Sequence, residues 1–236
     1  LYRQDSTFIN TNFKLNTDYS INQRSHASVL YRSENSNYLL NTLDNEITSY
    51  SNYFIGLGYQ MKKLSTSNLY DFNNGINLNL IVGKRKTSLE SINQLKLHFS
   101  AFANLQINNR GFLNIRNESG LLTSKNYLLN ELFRIGGANS IRGYNEQSIF
   151  TNGYSYSNIE FRYSLDRSSY LYSITDLGAY KESTTKKIKK LIGIGAGYQF
   201  KINNNFVNIG YVISTNSSTN TKINNSTLVV KWTSFF

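Results

Sequence analysis

"LKLHFSAFANLQI", residues 95–107, sorts itself into two faces at every second position. Leu95, Leu97, Phe99, Ala101, Ala103, Leu105 and Ile107 take one side, while Lys96, His98, Ser100, Asn104 and Gln106 take the other. Only a β-strand, whose successive side chains point to opposite faces, separates these residues cleanly. The same period recurs outward in both directions. "INLNLIVGKR" sets Ile76, Leu78, Leu80 and Val82 against Asn77, Asn79, Gly83 and Arg85. "IGIGAGYQFK" sets Ile192, Ile194, Ala196, Tyr198 and Phe200 against three glycines, Gln199 and Lys201. Followed from end to end, the pattern predicts about eleven strands, near 7–19, 23–33, 51–64, 69–86, 93–107, 111–121, 154–165, 169–181, 190–202, 205–214 and 225–236, and no helix.

Composition agrees with extended structure. The 236 residues carry a net charge of +11 and include no cysteine, no proline and 14% aromatics, with 18 tyrosines. Aromatic and β-branched residues suit a pleated surface. Absence of cysteine fits a reducing cytosol and a bacterial envelope equally, so it decides nothing about compartment. No apolar run approaches the roughly 20 residues of a membrane helix, which leaves a strand-built barrel as the way this chain would cross a membrane.

Connection lengths point to such a barrel. Tight turns are predicted near Ser20–Asn22, Ser65–Asn68, Asn108–Arg110, Asp166–Ser168 and Asn203–Asn204, and longer links at 34–50, 87–92, 122–153, 182–189 and 215–224. Short turns at one end and long loops at the other are the habit of outer-membrane barrels. A soluble β-sandwich or small barrel also alternates, with its apolar face inward, and alternation alone does not say which face is which. Three features favour the membrane. The polar face is rich in small residues, as a wet lumen is; Tyr53, Tyr59, Tyr163, Tyr198 and Tyr211 flank apolar runs; and the last residue, Phe236, is an aromatic within a strand. Bacterial single-chain barrels have even strand numbers, so an odd count, with a first residue Leu1 rather than Met, leads us to expect further strands upstream.

The link at 122–153 is too long for a plain hairpin, and loops of that length are commonly functional. Within it, "RIGGANSIRGYNEQSIF" (134–150) spaces Ile135, Ile141, Ile149 and Phe150 among turn formers, as in a loop that folds back and packs. Gly136, Gly137 and Gly143 permit backbone conformations other residues avoid. An arginine buried among them needs an anionic partner; in a wide channel it is simply solvated.

"GGANSIRGY" resembles the loop motif of the BamA, TamA and FhaC superfamily of outer-membrane protein assembly factors and two-partner secretion transporters. The resemblance implies a sixteen-stranded transmembrane antiparallel β-barrel preceded by periplasmic POTRA domains. This chain would be its C-terminal part, residues 1–236, with 122–153 as a loop inserted into the lumen at its Arg-Gly-Tyr tip. The motif residues are Gly136, Gly137, Ser140, Arg142, Gly143 and Tyr144. "SNIEFRY" resembles the family's twelfth strand, with Glu160 as its inward glutamate, and "SITDLGAY" its thirteenth, giving Ile174, Asp176 and Gly178. Ile174 departs from the more usual aromatic, which implies weaker packing against the loop. Parity agrees independently, because Asn158, Glu160 and Arg162 alternate with Ile159, Phe161 and Tyr163. Arg142 is therefore expected to reach Asp176, with Glu160 nearby, as a guanidinium fork pairing a carboxylate. At the chain end, Leu228, Val230, Trp232 and Phe236 resemble the C-terminal strand signal of outer-membrane proteins, recognised by strand addition.

The resemblance implies an outer-membrane barrel of a Gram-negative bacterium that inserts or translocates proteins, not an enzyme and without cofactor. Its partners would be membrane lipid and lipopolysaccharide, unfolded outer-membrane or secreted proteins, and assembly-complex lipoproteins, with no nucleic acid. The strand at 225–236 would form one lip of a lateral seam. Two alternatives stay open: a barrel anchoring a patatin-like lipase, and a passive porin. His26 and His98 lack carboxylate neighbours at metal-ligand spacing. No phosphate loop, nucleophile elbow or zinc motif is present. "KESTTKKIKK" (181–190) reads as a solvated outer loop or a lipopolysaccharide contact, and "STNSSTNTKINNS" (214–226) as a polar loop.

Overall fold

A computed structural model describes residues 8–38, 48–65, 72–182, 186–203, 205–215 and 223–234. These form β1 (Phe8–Asn22), β2 (Ser25–Tyr38), β3 (Tyr50–Ser65), β4 (Phe72–Lys86), β5 (Ser91–Gln106), β6 (Gly111–Thr123), β7 (Phe133–Ile135), β8 (Ile149–Ser164), β9 (Ser169–Glu182), β10 (Ile188–Ile202), β11 (Asn205–Thr215) and β12 (Ile223–Ser234). The strands follow one another as a meander, β1-β2-β3-β4-β5-β6-β8-β9-β10-β11-β12, with β7 added on β8. The fold is all-β and antiparallel, as the alternation predicts.

The tight turns are built by side chains that substitute for backbone partners. Asn108 Oδ1 accepts from the amides of Arg110 at 2.9 Å and Gly111 at 2.6 Å, and Ile107 N closes onto Gly111 O at 2.9 Å. Asp166 does the same for Ser168 N at 2.6 Å. Asn and Asp favour turns for this reason.

Several sequence expectations need correction. The turn predicted at Ser20–Asn22 lies beyond Asn22, where Asn22 Oδ1 accepts from Arg24 N at 2.9 Å. The long link is shorter than 122–153, because β6 runs to Thr123 and β8 begins at Ile149. Ile149 and Phe150 are strand residues, paired with Ile135 and Arg134 of β7. A strand of three residues is too short to show a period, so β7 was invisible in the pattern. Among the described residues, the expectation of no helix also gives way to a 3-10 turn, Leu129–Glu131. The predicted turn residues Thr66–Asn68 and Asn204, parts of the links at 34–50, 182–189 and 215–224, and Phe236 lie outside the described residues.

Two compact units divide the chain. In the first (1–61, 77–99, 120–132), Leu30, Phe54 and Ile81 form a buried cluster, while Ile55 and Leu57 on the opposite face of β3 are 60% and 67% exposed. In the second (62–76, 100–119, 133–236), Tyr172, Ile174 and Asp176 of β9 are buried, while Leu171 and Leu177 on the other face are exposed. Leu228, Val230 and Trp232 of β12 are 66%, 60% and 63% exposed. The aliphatic face is thus the outward one. That orientation is the one a barrel wall with an apolar outer face has, and the reverse of a sandwich closed on its aliphatic faces. Tyr53, Tyr59, Tyr163, Tyr198 and Tyr211 share this outward exposure.

Candidate functional site

The inward face of β8 to β11 carries a row of residues in direct register. Asn158 of β8 stands opposite Asp176 of β9, Asp176 opposite Gly193 of β10, and Gly193 opposite Ser214 of β11. Each meets the loop tip. Asn158 Nδ2 donates to Ser140 O at 2.8 Å. Asp176 receives Arg142. Gly193 has no side chain where one is forbidden: a Cβ there would lie 2.5 Å from Arg142 O. Ser214 Oγ donates to Gly143 O at 2.6 Å.

Arg142 is the centre of the contact. Its Nε and Nη2 donate to the two oxygens of Asp176 at 2.8 and 2.6 Å, and its backbone amide adds a third bond to Asp176 Oδ2 at 2.8 Å. Nη1 donates to Glu160, whose other oxygen accepts Arg162 Nε at 2.9 Å and Nη2 at 2.7 Å. Asp176 is fully buried. Burial alone would lower the arginine's affinity for its proton, but hydrogen bonding and charge from Asp176, aided by Glu160, outweigh it and raise the pKa. Arg142 therefore stays charged at every accessible pH, and the fork is held as an ion pair.

The tip is shaped to deliver that guanidinium. Gly136, Gly137 and Gly143 have φ of 110°, 99° and 91°, a region that penalises any Cβ. Ser140 Oγ accepts from Gly136 N at 2.7 Å, and Gly137 N donates to Ile141 O at 3.1 Å. Ile141 is fully buried and packs with Ile135, Tyr144, Tyr156, Tyr180 and Leu191. Gly178 makes room for it, since a Cβ there would lie 2.7 Å from Ile141 Cδ1. Tyr144 OH accepts from Ile192 N at 3.1 Å, donates toward Ile192 O at 3.3 Å, and lies 3.1 Å from Thr215 Oγ1. Ile174 is buried among Tyr170, Tyr172 and Val212, which are strand residues rather than loop residues.

The structure thus brings Gly136, Gly137, Ser140, Arg142, Gly143, Tyr144, Glu160, Asp176 and Gly178 together on one sheet face. Leu228, Val230 and Trp232 lie apart from them, on the outward side of β12, which pairs with β11 and ends the strand order. Lys231, on the other face of β12, reaches Asn139 Oδ1 of the tip at 3.2 Å. A cavity of about 270 Å³ opens there, lined by Arg116, Arg142, Arg162, Lys231 and Glu160 among others. Sequence reasoning missed Asn158, Gly193, Ser214 and Lys231 as tip contacts. A signal for two of them was present: Asn158 shares the parity of Glu160, and Gly193 is one of the three glycines opposite the aliphatic face of β10.

An antiparallel strand-built wall with a loop pinned to its polar side is the class that this fold and site define. Among solved structures the chain is similar to CdiB from Acinetobacter baumannii, with a TM-score of 0.68 and 15% identity, covering 96% of this chain and 42% of that one. It is also similar to CdiB from Escherichia coli, with a TM-score of 0.68 and 14% identity, covering 95% and 44%. The fold is therefore that of these barrels, and the chain spans less than half the length of either. Neither a protein-family model nor a curated protein sequence matches the chain.

Proposed function

We propose that this chain forms part of the barrel of an outer-membrane two-partner secretion transporter, with the tip of loop 124–148 lying in the lumen. The observation that carries the reading is the Arg142–Asp176 fork seated on the in-register row Asn158, Asp176, Gly193, Ser214. A passive porin has no need of a dedicated cradle for one arginine. CdiB proteins are two-partner secretion transporters, which favours secretion over assembly. In this reading the tip braces the wall beside β12 and must shift for an unfolded polypeptide to pass. The work is done by strand edges and reversible contacts, without covalent chemistry or cofactor. The outward aliphatic face meets lipid.

Depletion of the full-length protein, followed by quantitative proteomics of medium and outer membrane, tests the reading. Loss of one or a few large proteins from the medium, with the outer-membrane barrels unchanged, is the expected result. General loss of outer-membrane barrels would instead make it an assembly factor. No change in either fraction would remove both readings.

A further inference from the structure

A second set of buried charges lies outside the tip. Arg85 of β4 is fully buried and donates from Nη1 to Glu131 Oε1 at 2.5 Å, from Nη2 to Glu90 Oε1 at 3.3 Å, and to Asn126 Oδ1. The Glu131 side chain has no exposed surface. Its Oε2 accepts from Gln94 Nε2 at 2.8 Å, and its Oε1 accepts from Leu128 N at 3.0 Å, which closes the 3-10 turn. The neighbouring Asn130 donates to Ser36 Oγ at 2.7 Å and to Thr48 O at 3.0 Å, and its carbonyl accepts from Tyr50 OH at 3.2 Å. All these residues belong to the first compact unit, which ends at Leu132, whereas Arg142, Glu160 and Asp176 belong to the second, which resumes at Phe133.

We infer that Arg85 and Glu131 form a second latch, which holds the stem of the loop (124–132) independently of the Arg142 latch on its tip (133–148). Arg85 and Glu131 are positioning residues in this scheme. The stem is fastened by charge and amide contacts, and Arg85 Nε and Asn130 Oδ1 are buried without a hydrogen-bond partner among the described residues. Such a cluster contributes less to permanent stability than apolar packing of the same size, yet loss of one partner strands the other charge in the interior. It therefore acts as a clasp: closed while both charges are present, opened when either is removed. The loop divides at Leu132–Phe133, so release of the tip leaves the stem in place. This goes beyond the transport reading, and rests on it only for the claim that the tip is the half that moves during passage.

These 236 residues hold no cysteine, so in the full-length protein, with any cysteine elsewhere replaced, single introduced cysteines report each half. Leu132→Cys reports the stem and Ile135→Cys the tip, both positions being buried. Maleimide labelling is followed in the full-length protein in its membrane. Glu131→Gln is expected to speed labelling at Leu132→Cys by about tenfold or more, as a buried pair that loses one charge requires. Labelling at Ile135→Cys should stay within about twofold, because in this scheme the tip is held by the Arg142–Asp176 contact and not by Glu131. Arg142→Ala should do the reverse. Exchanging the charges, Arg85→Glu with Glu131→Arg, should restore slow labelling and so separates a lost latch from a misfolded barrel. Joint acceleration of both reporters by either single change, no acceleration by Glu131→Gln, or a swap that labels as fast as Glu131→Gln overturns the inference. A protein that shows this split but exports nothing keeps the two latches and loses the transport reading.

Discussion

Replacing Arg142 by Ala removes two donors from Asp176 and one from Glu160. Asp176, fully buried, keeps only the amide of residue 142 among the tip donors. Breaking one side of a buried ion pair costs about 3–5 kcal/mol. Solvent screening reduces this little, because the side chains of Arg142 and Asp176 are 10% and 0% exposed. The retained amide, and rehydration of the carboxylate once the tip lifts, set the value at the lower end. A loss of about 3 kcal/mol shifts the ratio of seated to lifted tip by roughly a hundredfold, at about 1.4 kcal/mol per decade. Hydrogen exchange reads this directly. The amides of Gly137, Ser140, residue 142 and Gln147 are bonded to Ile141 O, Gly137 O, Asp176 and Gly136 O, so they should exchange about a hundredfold faster in the variant. The β9–β10 ladder around Asp176 and Gly193 should keep its protection. Equal protection of the tip in both proteins would refute the reasoning, because the fork would then contribute nothing to seating it.

Other perturbations follow from particular contacts. Gly137→Ala drives a Cβ into Glu146 Oε2 and to 2.8 Å from Glu146 Cα, at a φ of +99°; the expected loss is about 1–3 kcal/mol of tip seating, seen in the same exchange experiment. Tyr144→Phe removes the hydroxyl shared by Ile192 and Thr215; denaturant unfolding should show a loss of about 1 kcal/mol. Val230→Arg places a charge on the outward face and should cost about 2–4 kcal/mol for refolding in lipid vesicles if it sits near mid-bilayer, against no change if that face met water. In the β8–β9 turn, hydrogen bonds from Ser169 and Ser168 hold the Asp166 carboxyl down to about 2 from its ordinary 3.8. Its stabilising effect is fully present above 3.8 and is lost as pH falls through about 2; Ser168→Ala with Ser169→Ala should return the carboxyl toward 3.8 in an NMR titration.

Most strands were legible because the period of two is imposed on every residue that spans a sheet, as in Leu95 to Ile107. The direction of the faces was not, since alternation is symmetric; the exposure of Leu57, Val230 and Trp232 decides it. The tip residues could be named from a local motif with unusual glycine placement. Their cradle was only partly visible, because Gly193 and Ser214 reach the tip through strand register from far along the chain, Ser214 standing 71 residues from Gly143. Arg85 and Glu131 had no signal at all. They are 46 residues apart, one on a regular strand and one in a loop, and nothing local distinguishes either from a solvated charge. The same blindness applies to β7, which exists only because β8 offers it a partner.

On the proposed function, seating of the tip through Arg142 and Asp176 governs export. A double-mutant cycle on secretion tests it most directly: cells depleted of the native protein carry Arg142→Ala, Asp176→Ala or both, at matched barrel levels, and the exported polypeptide is measured in the medium. If both residues act through one contact, each single change alters export and the double change does no more than the larger single one. Additive effects of the two changes, or export at the native rate in all three, would contradict the account.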